Sequence, residues 1–507
     1  VKKKSGKVYL VGAGPGDPGL LTLKAKRALE EADLVVYDYL ANPEHLKHVR
    51  PGTKTLCVGK RFRHKLLSQG RINRLILEEA RKGRTVVRLK GGDPYLFGRG
   101  GEEALYVAER GVPFEVVPGV TSAIACAAYA GIPLTHRDHN AAVTFLTGHR
   151  ADDAKLDSIG WEKIVALGGT IAIYMGLFNL ERIARKLIAA GLAPSTPVAV
   201  IEWGTLPRQR SVAGVLSDVT GIVRKSAFKP PCLIVIGEVV GLRKKLGWFE
   251  RLPLFGKRIA LTRPSDGRST LFERLSALGA DVVEFPVIRI EKAPPRELDS
   301  AIDAFGGFDW IVFSSVNGVR ALFERLDARG LDARCLAGLK IASVGSATTQ
   351  SLAERGLRAD LEPERFETKA IVEEFRKRFR TMKGRRVMLL RADVATPELE
   401  RGLERLGASV RRVDAYRTAL PKAIPADVRR DLAAGAFDAV AFTSASTVRN
   451  FVRLVGQAAV ARAARKTRFY SIGPVTTAEL RRHGLKPTAQ AREYTFTGLV
   501  QSLKESL

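Results

Sequence analysis

The sequence is short of cysteine: four in 507 residues, at positions 57, 126, 232 and 335, with no Cys-x-x-Cys among them. Thiols so far apart support neither a zinc ribbon nor a disulfide framework. Long apolar runs are missing too. Nothing approaches the ~18 consecutive apolar residues of a membrane span. The apolar stretch Val8–Val11, behind the basic start Val1–Lys7, is too short for the core of a signal peptide. The expectation is a cytoplasmic protein with no membrane partner. Acidic residues are scarce beside basic ones, 53 Asp+Glu against 83 Lys+Arg, for a formal charge of +30. The excess runs through both halves and is not held in a tail. Three causes fit it. One is nucleic-acid binding, but the sequence has no zinc-finger spacing, no aromatic RNA-binding run and no long basic helix. Another is a small polyanionic substrate drawn into basic clefts. The third is an arginine-rich codon bias.

What is present is enough apolar residue, 45% of the chain, for packed cores. At about 150 residues per domain, the length suggests roughly three compact units or two large ones. Short apolar strands alternate with amphipathic helices throughout, the pattern of an α/β fold. Val8–Val11 reads as a buried strand. Leu21, Ala25, Ala28, Leu29 and Ala32 form one helix face, and Leu34–Tyr37 is the next strand, ending at Asp38. The charged and aromatic stretch Arg243–Pro253 reads as a linker, which divides the chain into domains of residues 1–250 and 256–507.

The second domain is an internal repeat. Gly256-Lys257-Arg258 recurs as Gly384-Arg385-Arg386, Arg263 as Arg391, and Leu278-Gly279-Ala280 as Leu406-Gly407-Ala408. Phe313-Ser314-Ser315 recurs as Phe442-Thr443-Ser444, and Val344-Gly345 with Thr348-Thr349 as Ile472-Gly473 with Thr476-Thr477. A period this long is a duplicated α/β lobe with parallel sheets, and two such lobes offer a cleft for a ligand.

In the first domain the chemistry lies in loops after strands. Gly12-Ala13-Gly14-Pro15-Gly16-Asp17 has Asp where a dinucleotide fingerprint needs its third glycine. A nicotinamide cofactor is therefore a minor alternative, and a plain tight turn is another. Gly91-Gly92-Asp93 opens a second loop, where Asp93 either holds a ribose diol or caps the turn. Pro118–Ala123 leads into a small-residue helix, Tyr174-Met175-Gly176 ends another strand, and Glu202-Trp203-Gly204-Thr205 follows a fifth. Glycine at a strand end lets a ligand approach the backbone, so five such loops suggest one crevice for a nucleoside-like cofactor. His136 and His139, with His149 nearby, lack the acidic partners of a metal centre, and no metal is expected.

Taken together, Gly12–Asp17, Val36-Tyr37-Asp38, Val58-Gly59-Lys60-Arg61, Gly91–Glu103, Pro118–Ala123, Pro133–Asp138 and Tyr174–Gly176 resemble uroporphyrinogen-III C-methyltransferase, a tetrapyrrole methylase, over residues 6–246. The resemblance implies a two-subdomain α/β unit. It further implies S-adenosylmethionine as cofactor and methylation of uroporphyrinogen III at C2 and C7 to precorrin-2. By that pattern the cofactor residues are Pro15, Gly91, Gly92, Asp93, Leu96, Thr121, Ser122, Met175 and Gly204. The proton acceptor falls on Asp38 and the proton donor on Lys60. A homodimer through this domain is also expected, and both siroheme and cobalamin remain open as endpoints.

The two-lobed second half is similar to uroporphyrinogen-III synthase over residues 256–507. The similarity rests on Leu261–Pro264, Phe313–Gly318, Asp414–Thr418, Phe442–Ser444 and Ser471–Thr477. It implies cyclisation of hydroxymethylbilane without a cofactor, with lobes at about 256–289 plus 418–507 and about 290–417. The acid, or a group that only orients the substrate, falls on Tyr416 or Thr476. Arg263, Ser314, Ser315, Thr443 and Ser444 are candidate carboxylate-binding residues, with helix N-capping as the other reading of the hydroxyls. Both substrates are polycarboxylate tetrapyrroles, so the basic charge needs no nucleic acid. An alternative is that this half binds tetrapyrrole without catalysis.

Overall fold

The computed structural model describes residues 6–59, 67–148, 158–263, 270–363, 368–393, 397–421 and 423–507. Lys60 and His149 lie outside them. The chain forms two compact units: Val1–Ile259 with Gly267–Val283 and Leu503–Leu507, and Ala260–Asp266 with Glu284–Ser502. No helix among the described residues is long and apolar enough to cross a membrane.

The first sheet of the first unit is parallel. It contains β1 (Val8–Gly12), β2 (Leu34–Tyr37), β3 (Lys54–Cys57), β4 (Val86–Lys90) and β5 (Phe114–Val117), in the order β3-β2-β4-β1-β5. Helices α1 (Leu23–Glu31), α2 (Gln69–Arg81) and α3 (Gly100–Ala108) cover its faces. α1 starts where Thr22 accepts a 3.1 Å hydrogen bond from the Ala25 amide, and it buries Ala25, Ala28 and Leu29. Strand alternation splits β4 between two cores: Val86 packs with Ile72, Ile76 and Val107, while Val87 and Leu89 pack with α1. Neighbouring strands β1 and β4 hand the chain on in opposite directions, to β2 and to β5. Their carboxyl ends are therefore a topological switch point, where open parallel sheets bind ligands.

α4 (Ser122–Tyr129) leads to the second sheet: β6 (Val143–Thr147), β7 (Thr170–Tyr174), β8 (Pro197–Glu202), β9 (Arg210–Val215) and β10 (Cys232–Ile236). The order is β6-β7-β10-β8-β9, with only β6 and β7 parallel. The stretch read as a linker behaves otherwise. Arg243–Leu246 is helical, Phe249 and Leu254 are buried, and the Phe249 and Trp248 rings lie 4.8 and 5.1 Å from that of Tyr129. Its aromatic residues have apolar area to remove from water, so they pack onto α4.

The remaining strands are β11 (Arg258–Leu261), β12 (Asp281–Glu284), β13 (Arg289–Lys292), β14 (Trp310–Phe313), β15 (Lys340–Ser343), β16 (Arg386–Ala392), β17 (Ser409–Ala419), β18 (Ala439–Phe442), β19 (Arg468–Ser471) and β20 (Pro487–Gln490). They make two five-stranded sheets, ordered β12-β11-β18-β19-β20 and β13-β17-β16-β14-β15. In the latter, β14, β15, β16 and β17 run parallel, but β13 pairs antiparallel with β17. β13 is an edge strand of its sheet, and the chain enters it directly from β12 of the other sheet. The helices predicted from periodicity form at Val316–Ala328 and Ala445–Val455, burying Val319, Leu322, Phe323 and Leu326 in one and Val448, Phe451 and Val452 in the other.

Candidate functional site

In the first unit the loops after β1, β4 and β5 meet backbone to backbone. A Cβ on Gly12 would lie 2.5 Å from Gly119 Cα and 2.7 Å from the Gly92 carbonyl oxygen, so only glycine fits there. The Gly92 amide donates to the Gly14 carbonyl at 2.7 Å, and the Gly14 amide donates back to Gly92 at 3.2 Å. Asp93 accepts amide hydrogen bonds from Tyr95 and Leu96 on one oxygen, at 2.8 and 3.1 Å, and from Gly119 on the other, at 3.1 Å. Its carboxylate thus ties two loops together, the turn-capping role.

The second sheet contributes its loops to the same place. The Tyr174 hydroxyl is 2.7 Å from Thr121 Oγ1 and accepts from the Ala123 amide at 3.2 Å. Burial pushes the Tyr174 hydroxyl pKa up, and these hydrogen bonds offset part of the rise. The Thr205 hydroxyl accepts from the Asp17 amide at 3.0 Å, and Asp17 accepts from the Tyr129 hydroxyl at 2.6 Å. Gly204 is buried against Cys126 of α4, and Leu96 packs in the same cluster as Cys126 and Tyr174. Pro15, Gly91, Gly92, Asp93, Leu96, Thr121, Ser122, Met175 and Gly204 therefore belong to one knot of loops. Of the seven non-glycine residues with positive φ among those described, five lie in it: Phe97, Arg99, Met175, Trp203 and Thr205. Backbone strain gathers at functional sites because the surrounding structure must hold it.

The Cβ that Gly92 lacks would sit at ordinary contact distance, 3.9 Å, from the Ser122 amide nitrogen and Thr121 Cα, so the second and third loops lie close together here. Thr121 occupies the N-cap position of α4 but makes no capping hydrogen bond, because its hydroxyl is turned to Tyr174.

Asp38 stands at the end of β2, beside this knot. Its backbone amide donates to the Leu89 carbonyl at 3.1 Å. Arg88 Nη2 donates to its Oδ1, and Lys90 Nζ is 3.7 Å from Oδ2. Arg88 and Lys90 also meet the buried Glu103, at 3.1 and 3.2 Å. Burial lowers the Lys90 pKa, helped by Arg88 and opposed by Glu103 and Asp38. Burial would lower that of Arg88 too, but Asp38 and Glu103 outweigh it and the net shift is upward. Sequence reasoning missed Arg88, Lys90, Glu103 and Tyr174. The signal was there in β4, where two cations two residues apart share one face of an otherwise apolar strand.

In the second unit the structure gathers the predicted residues in two groups. On the sheet of β14–β17, the Tyr416 hydroxyl is 2.9 Å from Ser315 Oγ, which also caps the helix at Val316 by accepting from the Gly318 amide at 3.2 Å. Ser314 Oγ donates to the Leu390 carbonyl at 3.1 Å. Burial raises the Tyr416 pKa, against hydrogen bonds from Ser315 and Asn317. Tyr416 lines a groove of about 840 Å³ with Asn317, Arg320, Arg417, Arg289 and Lys292. The other group lies at the ends of β11, β18 and β19. Ser444 caps the helix at Ala445 in a capping box with Thr447, and Thr443 precedes it. Thr476 is buried in the first turn of the helix Pro474–Arg482, and Arg263 lies over the Phe496 ring at 4.6 Å. Both capping serines thus carry the helix-start role, and Ser315 reaches the tyrosine as well.

Known proteins divide in the same way. Residues 7–220 match the family model of tetrapyrrole (corrin/porphyrin) methylases, and residues 269–501 that of uroporphyrinogen-III synthase HemD. The porphyrin biosynthesis protein HemD of Ruminiclostridium josui is 38% identical over 448 residues, 88% of this chain and 88% of that protein. The uroporphyrinogen-III C-methyltransferase of Bacillus subtilis (strain 168) is 41% identical over 353 residues, 70% of this chain and 72% of that protein. A solved structure of the uroporphyrin-III C-methyl transferase from Thermus thermophilus, complexed with S-adenyl homocysteine, is 40% identical, covering 47% of this chain and 100% of that one at a TM-score of 0.39. The chain belongs to both families, a bifunctional enzyme of tetrapyrrole biosynthesis that joins a uroporphyrinogen-III C-methyltransferase to a uroporphyrinogen-III synthase.

Proposed function

We propose that residues 1–250 methylate uroporphyrinogen III at C2 and C7 with S-adenosylmethionine, giving precorrin-2, and that residues 256–507 make uroporphyrinogen III from hydroxymethylbilane. The observation that carries the first half is the glycine-lined knot with an ion-paired carboxylate, Asp38, at its border. The glycine-rich turn Gly91–Asp93 lets a nucleoside-bearing cofactor approach the backbone, with Thr121 and Ser122 beside it to hold the cofactor through backbone and hydroxyl groups. Met175, half exposed at positive φ, and Gly204 line the same knot. When bound, S-adenosylmethionine supplies an electrophilic methyl on sulfur. The chain's own contribution is placement of the acceptor carbon in line with that methyl, and removal of a proton. A pyrrole carbon is more nucleophilic as its ring N–H is relieved of its proton, and Asp38 accepts that proton. Lys60 returns one or binds a substrate carboxylate.

In the second half, Tyr416 or Thr476 assists departure of the bilane hydroxyl. Arg263 and the Ser/Thr strand ends receive the acetate and propionate arms. Beside Tyr416, the 840 Å³ groove carries Arg289, Lys292, Arg320, Arg325 and Arg417 against Glu291 and Glu324, a net cationic lining that supports a polycarboxylate substrate there. Such substrates suit a cytoplasmic enzyme, and the resemblance supports a dimer through the methyltransferase, which sedimentation tests. Incubating the full chain with hydroxymethylbilane, with and without S-adenosylmethionine, tests both halves. Dimethylated product is expected with the cofactor, and the type III isomer alone without it. Type I isomer only would leave the second half as a binding module. Asp38→Asn is expected to lose methyl transfer and keep ring closure, and loss of both in a folded variant would contradict independent sites.

A further inference from the structure

Four charges lie side by side beneath the knot. Arg88, Lys90 and Glu103 have side chains only 2, 4 and 1% exposed, and Asp38 reaches the surface at 29%. Glu103 Oε1 collects three donors: Arg88 Nε at 3.1 Å, Lys90 Nζ at 3.2 Å and Gln69 Nε2 at 2.9 Å. Its Oε2 is buried with no hydrogen-bond partner among the described residues. As a stability device this is a poor choice, because desolvating such ions often outweighs their attraction, and apolar replacements do as well. The arrangement has a different consequence. Lys90 sits nearer to Glu103 than to Asp38, 3.2 against 3.7 Å. Asp38 Oδ2 is left without a hydrogen bond among the described residues, while Arg88 holds Oδ1.

We propose that Glu103 is a positioning residue for Asp38: it holds Lys90 and shares Arg88, so that one Asp38 oxygen stays free to take a proton. This rests on reading Asp38 as the proton acceptor. Among the described residues, the charged groups around the pair are Arg88 and Lys90 on β4, Glu102 and Glu103 on α3, and Arg99 just before it, and α2 brings the neutral Gln69 and Asn73; Lys60 lies outside the described residues. Without the Glu103 charge, both buried cations have Asp38 as their nearest carboxylate. Without Lys90, Asp38 loses one cation.

The two changes therefore act in opposite directions on the pH–rate profile of methyl transfer, which a merely structural role would not produce. In the full chain, Glu103→Gln is expected to move the midpoint of the acidic limb down by about one pH unit and to cut the maximal rate about tenfold. Lys90→Met is expected to move it up by about one unit. Calorimetric affinity for S-adenosylhomocysteine stays within about twofold of wild type in both, since the substitutions change side chains bonded within the charged cluster and leave in place the Lys90 carbonyl that accepts from the Ala13 amide of the first loop. Limbs that do not move, that move the same way, or affinity lost along with rate overturn the proposal. Should Glu103→Gln fail to fold, the upward shift in Lys90→Met decides alone. Asp38→Asn separates the layers. If it keeps methyl transfer with an acidic limb, the acceptor assignment fails. If it is inactive while the other two variants keep wild-type limbs, only the role of Glu103 fails.

Discussion

Replacing Gly204 by alanine tests whether the loop after β8 is locked onto α4. The added Cβ would fall 2.4 Å from Cys126 Sγ and 2.6 Å from its Cβ, well inside contact distance. Cys126 is only 5% exposed, so its side chain has no open space to swing into. Overpacking of this kind costs about 1–3 kcal/mol. Cys126→Gly removes both offending atoms and leaves Cys126 Cα, 3.3 Å away, as the next contact. That change has its own cost, about 1 kcal/mol for glycine in a helix plus a small cavity. If the clash is the whole effect, the double variant is less destabilised than the sum of the single ones by about 1–3 kcal/mol. The measurement is the thermal transition that S-adenosylhomocysteine raises, followed in the four proteins of the cycle, with calorimetric affinity beside it. Gly204→Ala alone should weaken that affinity, because Thr205 next to it fixes the Asp17 amide of the first loop. Additive costs, or a Gly204→Ala protein with wild-type stability and affinity, would refute the reasoning.

Tyr174→Phe leaves Thr121 Oγ1 and the Ala123 amide without the hydroxyl that joins them, in a buried place. A loss of about 1–3 kcal/mol in stability is expected, with weaker S-adenosylhomocysteine binding by calorimetry. Asp309 is held below the usual carboxylate range, first by the Arg386 amide and then by Arg385. A depressed carboxyl pKa stabilises the fold above the unfolded value near 3.8 and ceases to do so as pH falls through the folded one. Asp309→Asn should therefore destabilise by less than about 1 kcal/mol at pH 7, given that the side chain is a third exposed. Urea titrations of the variant and wild type should converge only once pH falls below the folded value, which itself lies below 3.8.

Strand and helix periods were legible because most of the chain buries one face. The α1 face, the strand before Asp38 and the paired helices at Val316–Ala328 and Ala445–Val455 all follow from spacing alone. The glycine loops were legible because close backbone approach admits no other residue, as at Gly12 and Gly119. Three features were not. The antiparallel β13 depends on which sheet the chain enters, which no local pattern encodes. Arg243–Pro253 carries linker-like charge but packs through Trp248 and Phe249 onto a helix more than a hundred residues earlier in the chain. Glu103 looks like any acidic residue in a helix's first turn until β4 brings Arg88 and Lys90 beneath it.

The duplication in the second half shows which parts of a repeat are free to diverge. Ser343 and Thr349 share a 2.6 Å hydrogen bond, and Ser471 and Thr477 share another of 2.6 Å at the equivalent place. Both pairs fasten a strand end to the helix that follows, a purely local need that each copy must meet for itself. The capping serines keep their local duty too, but their second partners differ. Ser444 bonds Ser446 within its own turn, whereas Ser315 bonds Tyr416 from a strand a hundred residues away. Thr477 likewise gains Gln490 as an acceptor at 2.7 Å. Local hydrogen bonds are fixed by helix and strand geometry, so they survive duplication, while a hydroxyl's spare capacity is set by whatever the tertiary fold brings near. Function in a duplicated scaffold is then to be sought where equivalent residues have unequal partners, and by that criterion the bond from Ser315 of the first copy to Tyr416 of the second is one such place.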